Sequence, residues 1–333
     1  MQAPSHLNMF LQEHLESWKE EAVERTVTFR QWFTADRRRR LWQLLTVLSL
    51  IVLAIGMVIT WRELPEGEWN PRFSSLALAV GVYVTAFVSH LIGWHALAML
   101  MFGRLPFKEN ARAIALSDLL KYLPTVAWYI ANRVHFYERF DTPRRAVVKA
   151  SFLELLIMIG TGAALYAVVW LSSFTLSALD IIGLVSVLLV LLFVIRARPS
   201  QILGERLNGS SPRKVSRGWY WFVAVLFYGI GWFLGGLFLG AIVGTFTSVE
   251  MGQFPALLRM WLMASMAGYL VSVTLGAFGI AREATLSFLV AQTWSWPVAI
   301  AVAIMVKLLL TLGQIGCDLL VIGLLRVHDE VVT

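Results

Sequence analysis

Charged residues are scarce in this sequence. Asp, Glu, Lys and Arg make up 15% of its 333 residues, whereas soluble globular domains contain about 25%. Hydrophobic residues make up 58%, and the mean hydropathy is +0.69. A chain this poor in charge and this rich in apolar residues is not a soluble domain, so the composition predicts a membrane protein.

Cysteines and catalytic motifs are also scarce. The single cysteine, Cys317, excludes an intrachain disulfide. The sequence has no P-loop, no HExxH or CxxC pattern and no Ser/His/Asp arrangement, so it predicts no catalytic residue, no cofactor and no enzyme activity. His90 and His95 are too few ligands for a metal site, and the basic residues lack the context of a nucleic-acid-binding fold.

Long apolar runs are what the sequence does contain. A spanning helix needs about 20 largely apolar residues, and the candidates are 41–61, 73–102, 146–171, 175–195, 218–243, 260–275 and 297–325. Two further runs, 113–136 and 282–293, are interrupted or short. We therefore expect an all-α polytopic membrane helix bundle with about seven to eight spans and two re-entrant or broken elements.

The basic residues predict the orientation. Four arginines at 37–40 directly precede the first run, and segments 104–149 and 196–217 are rich in Lys and Arg. Because positively charged loops stay in the cytoplasm, we expect a multi-pass protein of the cell (inner) membrane with both termini cytoplasmic. It would comprise an extension over 1–40, a transmembrane domain over 41–326 and a short tail over 327–333.

The extension has an amphipathic pattern. Leu7, Leu11, Leu15 and Trp18 recur at helical spacing among glutamates. This pattern predicts a helix that lies on the membrane or on the transmembrane domain. The alternative is a segment that binds a partner protein.

The first interrupted run reads "LSDLLKYLPTVAWYIANRVHFYERF". Pro124 lacks a backbone N–H and disfavours helix in the residue before it. One half-helix should therefore end near Leu123 and another begin near Thr125. The charged residues that flank this break are Asp118, Lys121 and Arg133.

The second interrupted run reads "VTLGAFGIAREATLSF". Gly276 and Gly279 permit a tight turn, and Arg282 and Glu283 begin a new short helix, where exposed N–H groups can hold an anion. Paired interrupted segments in two halves of a chain point to a transporter site built from inverted repeats. The alternative is that each break is a kink stabilised by neighbouring helices.

The stretches "KYLPTVAW" and "GAFGIAREA" resemble the signature motifs of the flippase-like integral membrane family, which includes the transmembrane region of lysylphosphatidylglycerol synthase. The matching residues are Lys121, Tyr122, Pro124, Trp128 and Arg133 in the first motif, and Gly279, Arg282 and Glu283 in the second. Thr125 replaces the usual glycine, and the prolines that often precede the second motif are missing. Glu154 and Lys307 stand where the family has a glutamate and an arginine, and the resemblance covers about residues 41–325.

The resemblance implies movement of lipids or lipid-linked molecules between membrane leaflets. Lysylphosphatidylglycerol synthases carry an additional soluble aminoacyl-transfer domain. This sequence continues for only eight residues after Leu325, so we expect no synthase activity.

Ionisable residues inside the apolar runs are the candidate site residues. Arg and Lys are common phosphate ligands, so the candidates for binding a headgroup are Lys121, Arg133, Arg282 and Lys307. The candidates for ion coupling or structural ion pairs are Glu154, Glu283 and Asp318. Three structural alternatives stay open: a Glu154–Lys307 ion pair, an Arg282–Glu283 clamp on the turn, and Asp318 as a hydrogen-bonding group between helices.

These observations predict translocation of a phospholipid or a polyprenyl-phosphate-linked lipid, whose anionic headgroup enters a central cavity. One alternative is a non-transporting scaffold that binds a lipid- or glycan-synthesising enzyme through residues 1–40. The other is a membrane-embedded lipid transferase.

Overall fold

The part of the chain that the structure describes is helical. This computed structural model describes residues 72–103, 105–120, 126–173, 217–275 and 280–332. Within them are one short 3-10 helix, eight α-helices and no strand, so the prediction of an all-α helix bundle is confirmed. The α-helices are α1 (Phe73–Met101), α2 (Phe107–Leu120), α3 (Val126–Glu138), α4 (Arg144–Ser173), α5 (Arg217–Phe246), α6 (Phe254–Leu275), α7 (Ile280–Ala291) and α8 (Trp296–Val332).

Four described helices are long and apolar enough to cross a membrane: α1, α4, α5 and α8. They match the predicted runs 73–102, 146–171, 218–243 and 297–325. The predicted span 260–275 lies within α6, which begins earlier, at Phe254, and is not one of these four. The predicted runs 41–61 and 175–195 and the extension 1–40 lie outside the described residues.

Prolines mark the start of four helices. They are Pro106, Pro143, Pro255 and Pro297, which stand immediately before α2 and α4 and at the second position of α6 and α8. Proline suits this position because the first turn leaves its N–H groups unpaired and needs the φ that proline fixes. The starts of these four helices are therefore favoured locally by a proline in the sequence.

α1 and α5 form an antiparallel pair. The Arg72 N–H bonds to the Thr245 carbonyl at 3.1 Å, at one end of the pair. Further along, the Ser89 hydroxyl donates to the Phe227 carbonyl at 2.8 Å. Residue numbers rise along α1 as they fall along α5, so the two helices run in opposite directions.

The close approach of α5 and α6 depends on glycine. A Cβ atom at Gly235 would lie 1.9 Å from Trp261 Nε1, and one at Gly236 would lie 2.7 Å from Leu258 Cδ1. Both distances are far inside van der Waals contact, so no larger residue fits without a shift. These pairings also show that α6 runs antiparallel to α5.

The bundle has two ends, which we call the basic end and the opposite end. Arg112 Nη2 donates to the Leu325 carbonyl at 2.5 Å, which places the start of α2 beside the last turns of α8. The basic end comprises the end of α1, the start of α2, the end of α3, the start of α4 and this part of α8. Its exposed cationic residues include Arg139, Arg144 and Arg145. The opposite end comprises Arg72, the end of α5, and the starts of α6 and α8.

α2 and α3 form a hairpin that begins and finishes at the basic end. The Tyr137 hydroxyl, near the end of α3, donates to Asn110 Oδ1, near the start of α2, at 2.7 Å. The arms have 14 and 13 residues and are therefore about 20 Å long, shorter than the ~30 Å hydrocarbon core of a bilayer. The junction at 121–125 lies outside the described residues, so the predicted break falls between the two arms.

α6 and α7 form a second hairpin, which begins and finishes at the opposite end. A Cβ atom at Gly268 would lie 2.9 Å from Arg282 Cβ, so the two arms touch there. After α7, the Trp294 N–H bonds to the Val290 carbonyl at 2.9 Å, and α8 follows directly. Gly276 and Gly279 lie in the undescribed junction between Leu275 and Ile280.

Candidate functional site

A buried ion pair between Arg133 and Glu154 joins the first hairpin to α4. Arg133 Nη1 lies 2.5 Å from Glu154 Oε2, and Nη2 lies 3.4 Å from Oε1. The hydroxyls of Tyr129 and Tyr228 donate to Oε2 and Oε1 at 2.7 and 3.0 Å. Arg133 is 0% exposed and Glu154 is 2% exposed, so solvent does not reach the pair.

Two aromatic rings cover the Arg133 guanidinium. Its Cζ atom lies 3.8 Å from the centroid of the Trp94 ring and 4.0 Å from that of Tyr129. A guanidinium over a ring face is stabilised by the cation–π interaction. Glu154 binds both Nη atoms of Arg133, the two rings cover the guanidinium, and Nε is buried, although it makes no hydrogen bond within the described residues. In this conformation Arg133 is therefore enclosed by the protein.

A line of hydrogen bonds fixes the base of the first hairpin. Trp94 Nε1 donates to the Tyr137 hydroxyl at 2.8 Å, and that hydroxyl donates to Asn110 Oδ1 at 2.7 Å. The Asn110 amide in turn lies 2.8 Å from His95 Nδ1. Burial raises the pKa of the Tyr137 phenol, so the phenol keeps the proton with which it donates to Asn110.

The second ion pair, between Arg282 and Glu283 on α7, is more open. Arg282 Nε and Nη2 both donate to Glu283 Oε1, at 3.1 and 2.6 Å. The Arg282 side chain is 25% exposed and that of Glu283 is 10% exposed. Arg282 Nη1 makes no hydrogen bond to any described residue, so this guanidinium has N–H groups left for a ligand.

The second carboxylate oxygen of Glu283, Oε2, is unusual in its hydrogen bonding. Glu283 Oε2 is buried, and within the described part of the chain it makes no hydrogen bond. A buried acceptor without a donor costs free energy, and such groups are rare in folded proteins. Glu283 therefore accepts through one oxygen only and leaves a partly uncompensated negative charge beside Arg282.

Lys307 of α8 completes this group of charges. α7 packs against α8, and Lys307 is near enough to Glu283 and Arg282 for their charges to act on its ammonium. Among the described residues, no carboxylate oxygen lies within the 4.0 Å ion-pair distance of Lys307. We call Arg282, Glu283 and Lys307 the cationic cluster, because it contains two positive charges and one negative charge.

A buried amide links two buried carboxylates near the middle of the bundle. Gln314 Nε2 lies 3.0 Å from Asp118 Oδ2 and also 3.0 Å from Asp318 Oδ1. The Tyr83 hydroxyl donates to Gln314 Oε1 at 3.0 Å, which fixes the orientation of the amide. Asp318 thus takes part, through Gln314, in a network that joins α1, α2 and α8.

Tyr269 of α6 lies near charged residues of both hairpins and of α4. The charged residues that act electrostatically on its hydroxyl are Arg282, Glu154 and Asp118. One residue comes from each hairpin and the third from α4. The geometry agrees: Asp118 of the first hairpin contacts Gln314 of α8, and α7 of the second hairpin packs against the same helix. The two hairpins, which enter from opposite ends of the bundle, therefore meet at α8.

The Glu154–Lys307 ion pair, one of the structural alternatives left open by the sequence, is not present among the described residues. Glu154 is bound by Arg133, and Lys307 lies beside the Arg282–Glu283 pair instead. The structure also makes Arg133 a partner of Glu154 rather than an open phosphate ligand, because its charge is already neutralised and its faces are covered. The Arg282–Glu283 contact that we predicted as an alternative is present.

Several of the predicted site residues, or their side chains, are not among those that the structure describes. Lys121, Tyr122 and Pro124 fall outside the described residues, as do the two glycines of the second motif. Trp128 lies in α3, but its side chain is not among those described. The headgroup candidates that the structure describes are therefore the arginine of each motif and Lys307.

The sequence did not identify several polar residues of the interior, which include Tyr129, Tyr228, Gln314 and, as a partner of Glu154, His90. His90 Nε2 lies 3.5 Å from Glu154 Oε1. A possible signal was their position within otherwise apolar helices, where a polar side chain needs a partner. Tyrosine gives a weak signal, because it also occurs at membrane interfaces.

Neither a metal site nor a known relative helps to assign the site. Within the described ranges, no group of three or more His, Cys, Asp or Glu side chains is placed to hold a metal ion. No protein-family model, curated protein or solved structure matches the chain. The functional argument therefore depends on the sequence motifs and on the geometry of the two hairpins.

Proposed function

We propose that this protein moves a phospholipid or a polyprenyl-phosphate-linked lipid between membrane leaflets. The observation that carries the proposal is the convergence of two helical hairpins from opposite ends of an apolar bundle. Each hairpin carries an arginine: Arg133 in the first is buried, and Arg282 in the second is partly exposed. Transporters with inverted repeats build their substrate sites from such interrupted elements.

The charges in the interior support the same proposal. A charge at the centre of a bilayer costs at least about 2.5–3.5 kcal/mol on insertion scales, so such residues usually mark a substrate or ion pathway. Arg133 is held by Glu154, whereas Arg282 is partly exposed and has N–H groups without a partner among the described residues. The headgroup would therefore bind at the cationic cluster, and the Arg133–Glu154 pair would hold the first hairpin in place.

The resemblance to the flippase-like integral membrane family supports lipids as the substrate class. Arg282 and Glu283, the charged residues of the second family motif, form the open ion pair. Lys307, which stands where the family has an arginine, lies beside them. The motif residues thus come together at the proposed headgroup site although 24 positions separate Glu283 from Lys307.

A translocation assay tests the proposal. The purified protein is reconstituted into vesicles that contain fluorescent phosphatidylglycerol or, separately, a fluorescent polyprenyl phosphate. A membrane-impermeant reductant then reports how much label reaches the outer leaflet. We expect movement faster than in protein-free vesicles for at least one lipid, and slower movement for the Arg282→Ala variant than for the matched surface variant Arg145→Met.

The same assay separates the alternatives. Movement of neither lipid class above the protein-free rate contradicts the proposal. A lipid- or glycan-synthesising enzyme that co-purifies only when residues 1–40 are present would then favour a scaffold. Conversion of the labelled lipid into a new species would favour a transferase.

A further inference from the structure

The cationic cluster carries one net positive charge. The formal charges of Arg282 and Glu283, which are joined by two hydrogen bonds to Oε1, sum to zero. Lys307 adds one charge, and no described carboxylate lies within ion-pair distance of it. We propose that this cluster selects lipids whose headgroup is a phosphodiester with a single negative charge, and that Lys307 is the residue that determines this specificity. The inference rests on the proposed function and adds the charge class of the substrate.

The first argument is the charge balance. An uncompensated charge in a low-dielectric interior costs more free energy than a set of charges that sums to zero. A headgroup with one negative charge brings the cluster to neutrality. A zwitterionic headgroup leaves it at one positive charge, and a dianionic phosphomonoester leaves it at one negative charge.

The second argument is the position of Glu283. Its Oε2 atom is buried and makes no hydrogen bond to any residue that the structure describes, so its negative charge is only partly screened. A like charge nearby disfavours an anion. Glu283 therefore opposes the second negative charge of a phosphomonoester more strongly than the single charge of a diester.

The third argument is the number of cationic donors. Arg282 Nη1 and the Lys307 ammonium are the donors of the cluster without a hydrogen-bond partner among the described residues. A phosphodiester has two non-bridging oxygens, one for each of these cations. Arg133 Nε also has no hydrogen-bond partner among the described residues, but Arg133 is 0% exposed, whereas the Arg282 side chain is 25% exposed.

Lipid competition tests the proposal. The protein, reconstituted with equal amounts of phosphatidylglycerol, phosphatidylethanolamine and phosphatidic acid at pH 8, is analysed by native mass spectrometry for bound lipid. We expect the wild-type protein to retain phosphatidylglycerol in preference to both other lipids. Lys307→Met should lower the ratio of phosphatidylglycerol to phosphatidylethanolamine by about tenfold, the loss expected for one charge-assisted hydrogen bond.

Three further variants make the test specific. Lys307→Arg keeps the charge and should keep the lipid ranking, and Arg145→Met removes a charge of the same sign from the surface and should also leave it unchanged. Glu283→Gln raises the net charge of the cluster to two and should shift the preference towards phosphatidic acid. If Lys307→Met does not fold, Lys307→Gln carries the same expectation with a polar side chain.

The outcomes distinguish this inference from the proposed function. Lipid binding and movement with the same ranking in wild type, Lys307→Met and Glu283→Gln would overturn the charge selection alone. Absence of both binding and movement for every lipid would overturn the proposed function. Displacement of phosphatidylglycerol by an equal concentration of soluble glycerophosphoglycerol would show that the site takes a free phosphodiester, and would overturn selection among lipids.

Discussion

Arg133 and Glu154 form an ion pair that is enclosed by aromatic rings and by two tyrosine hydroxyls, with 2.5 Å between Nη1 and Oε2. The pair connects the short arm α3 to the long helix α4. Because α3 is only 13 residues long, it has little packing area of its own. The ion pair is thus a main anchor of the first hairpin.

Removal of one partner from this pair should destabilise the protein strongly. We expect Arg133→Met to lower the free energy of unfolding by about 3–5 kcal/mol, because Glu154 is then left as a buried, unpaired charge. Thermal unfolding in detergent measures the effect. The double variant Arg133→Met/Glu154→Leu should recover most of the loss, and a double variant as unstable as the single one would contradict the structural role of the pair.

The contact between Gly235 and Trp261 predicts a clash upon substitution. Gly235→Ala places a Cβ atom 1.9 Å from Trp261 Nε1, so α5 and α6 must separate or Trp261 must change rotamer. We expect a loss of about 1–3 kcal/mol in stability, as for overpacked cores. Gly231→Ala in the same helix is the matched control, since its Cβ meets nothing within 4 Å; equal effects of the two substitutions would show that the close approach is unimportant.

The amide of Gln314 should be needed to keep Asp118 and Asp318 buried. Gln314→Leu removes a donor that lies 3.0 Å from an oxygen of each carboxylate. We expect a loss of about 1.5–3 kcal/mol in stability, the usual contribution of a hydrogen bond to a charged group. Gln292→Leu, at an exposed position at the end of the second hairpin, should leave the melting temperature nearly unchanged, and a comparable loss there would contradict this interpretation.

The presence of two arms in each hairpin was predictable because proline and glycine act locally. Pro124 predicts a break near residue 123, and this position lies between the described arms α2 and α3. Gly276 and Gly279 predict a turn, and these positions lie between the described arms α6 and α7. In both cases the prediction depends on the backbone chemistry of a few neighbouring residues.

The partners of the charged residues were not predictable in the same way. Glu154 and Arg133 are 21 positions apart and lie on different helices, so their contact depends on how α3 packs against α4. Lys307 was an equally reasonable partner for Glu154, since both lie inside apolar helices. Hydrophobic periodicity identifies helices but does not give the register between them. Lys307 lies beside Glu283 because the second hairpin packs against α8.

The Arg282–Glu283 pair has a structural role and a proposed binding role, and double substitution should separate them. Arg282→Ala removes the only hydrogen bonds that the Glu283 carboxylate accepts within the described residues, so the melting temperature should fall. Arg282→Ala/Glu283→Ala removes the unpaired carboxylate too, so stability should return.

Translocation should not return with stability. Both variants lack Arg282 Nη1, the proposed phosphate donor, so we expect the rate of phosphatidylglycerol movement to stay about tenfold or more below wild type, the effect of one lost charge-assisted hydrogen bond. The vesicle assay measures this rate, with Glu283→Ala as the control that keeps the arginine. Recovery of wild-type translocation in the double variant would mean that Arg282 only holds its neighbour, and the phosphate would then have to bind through Lys307 without it.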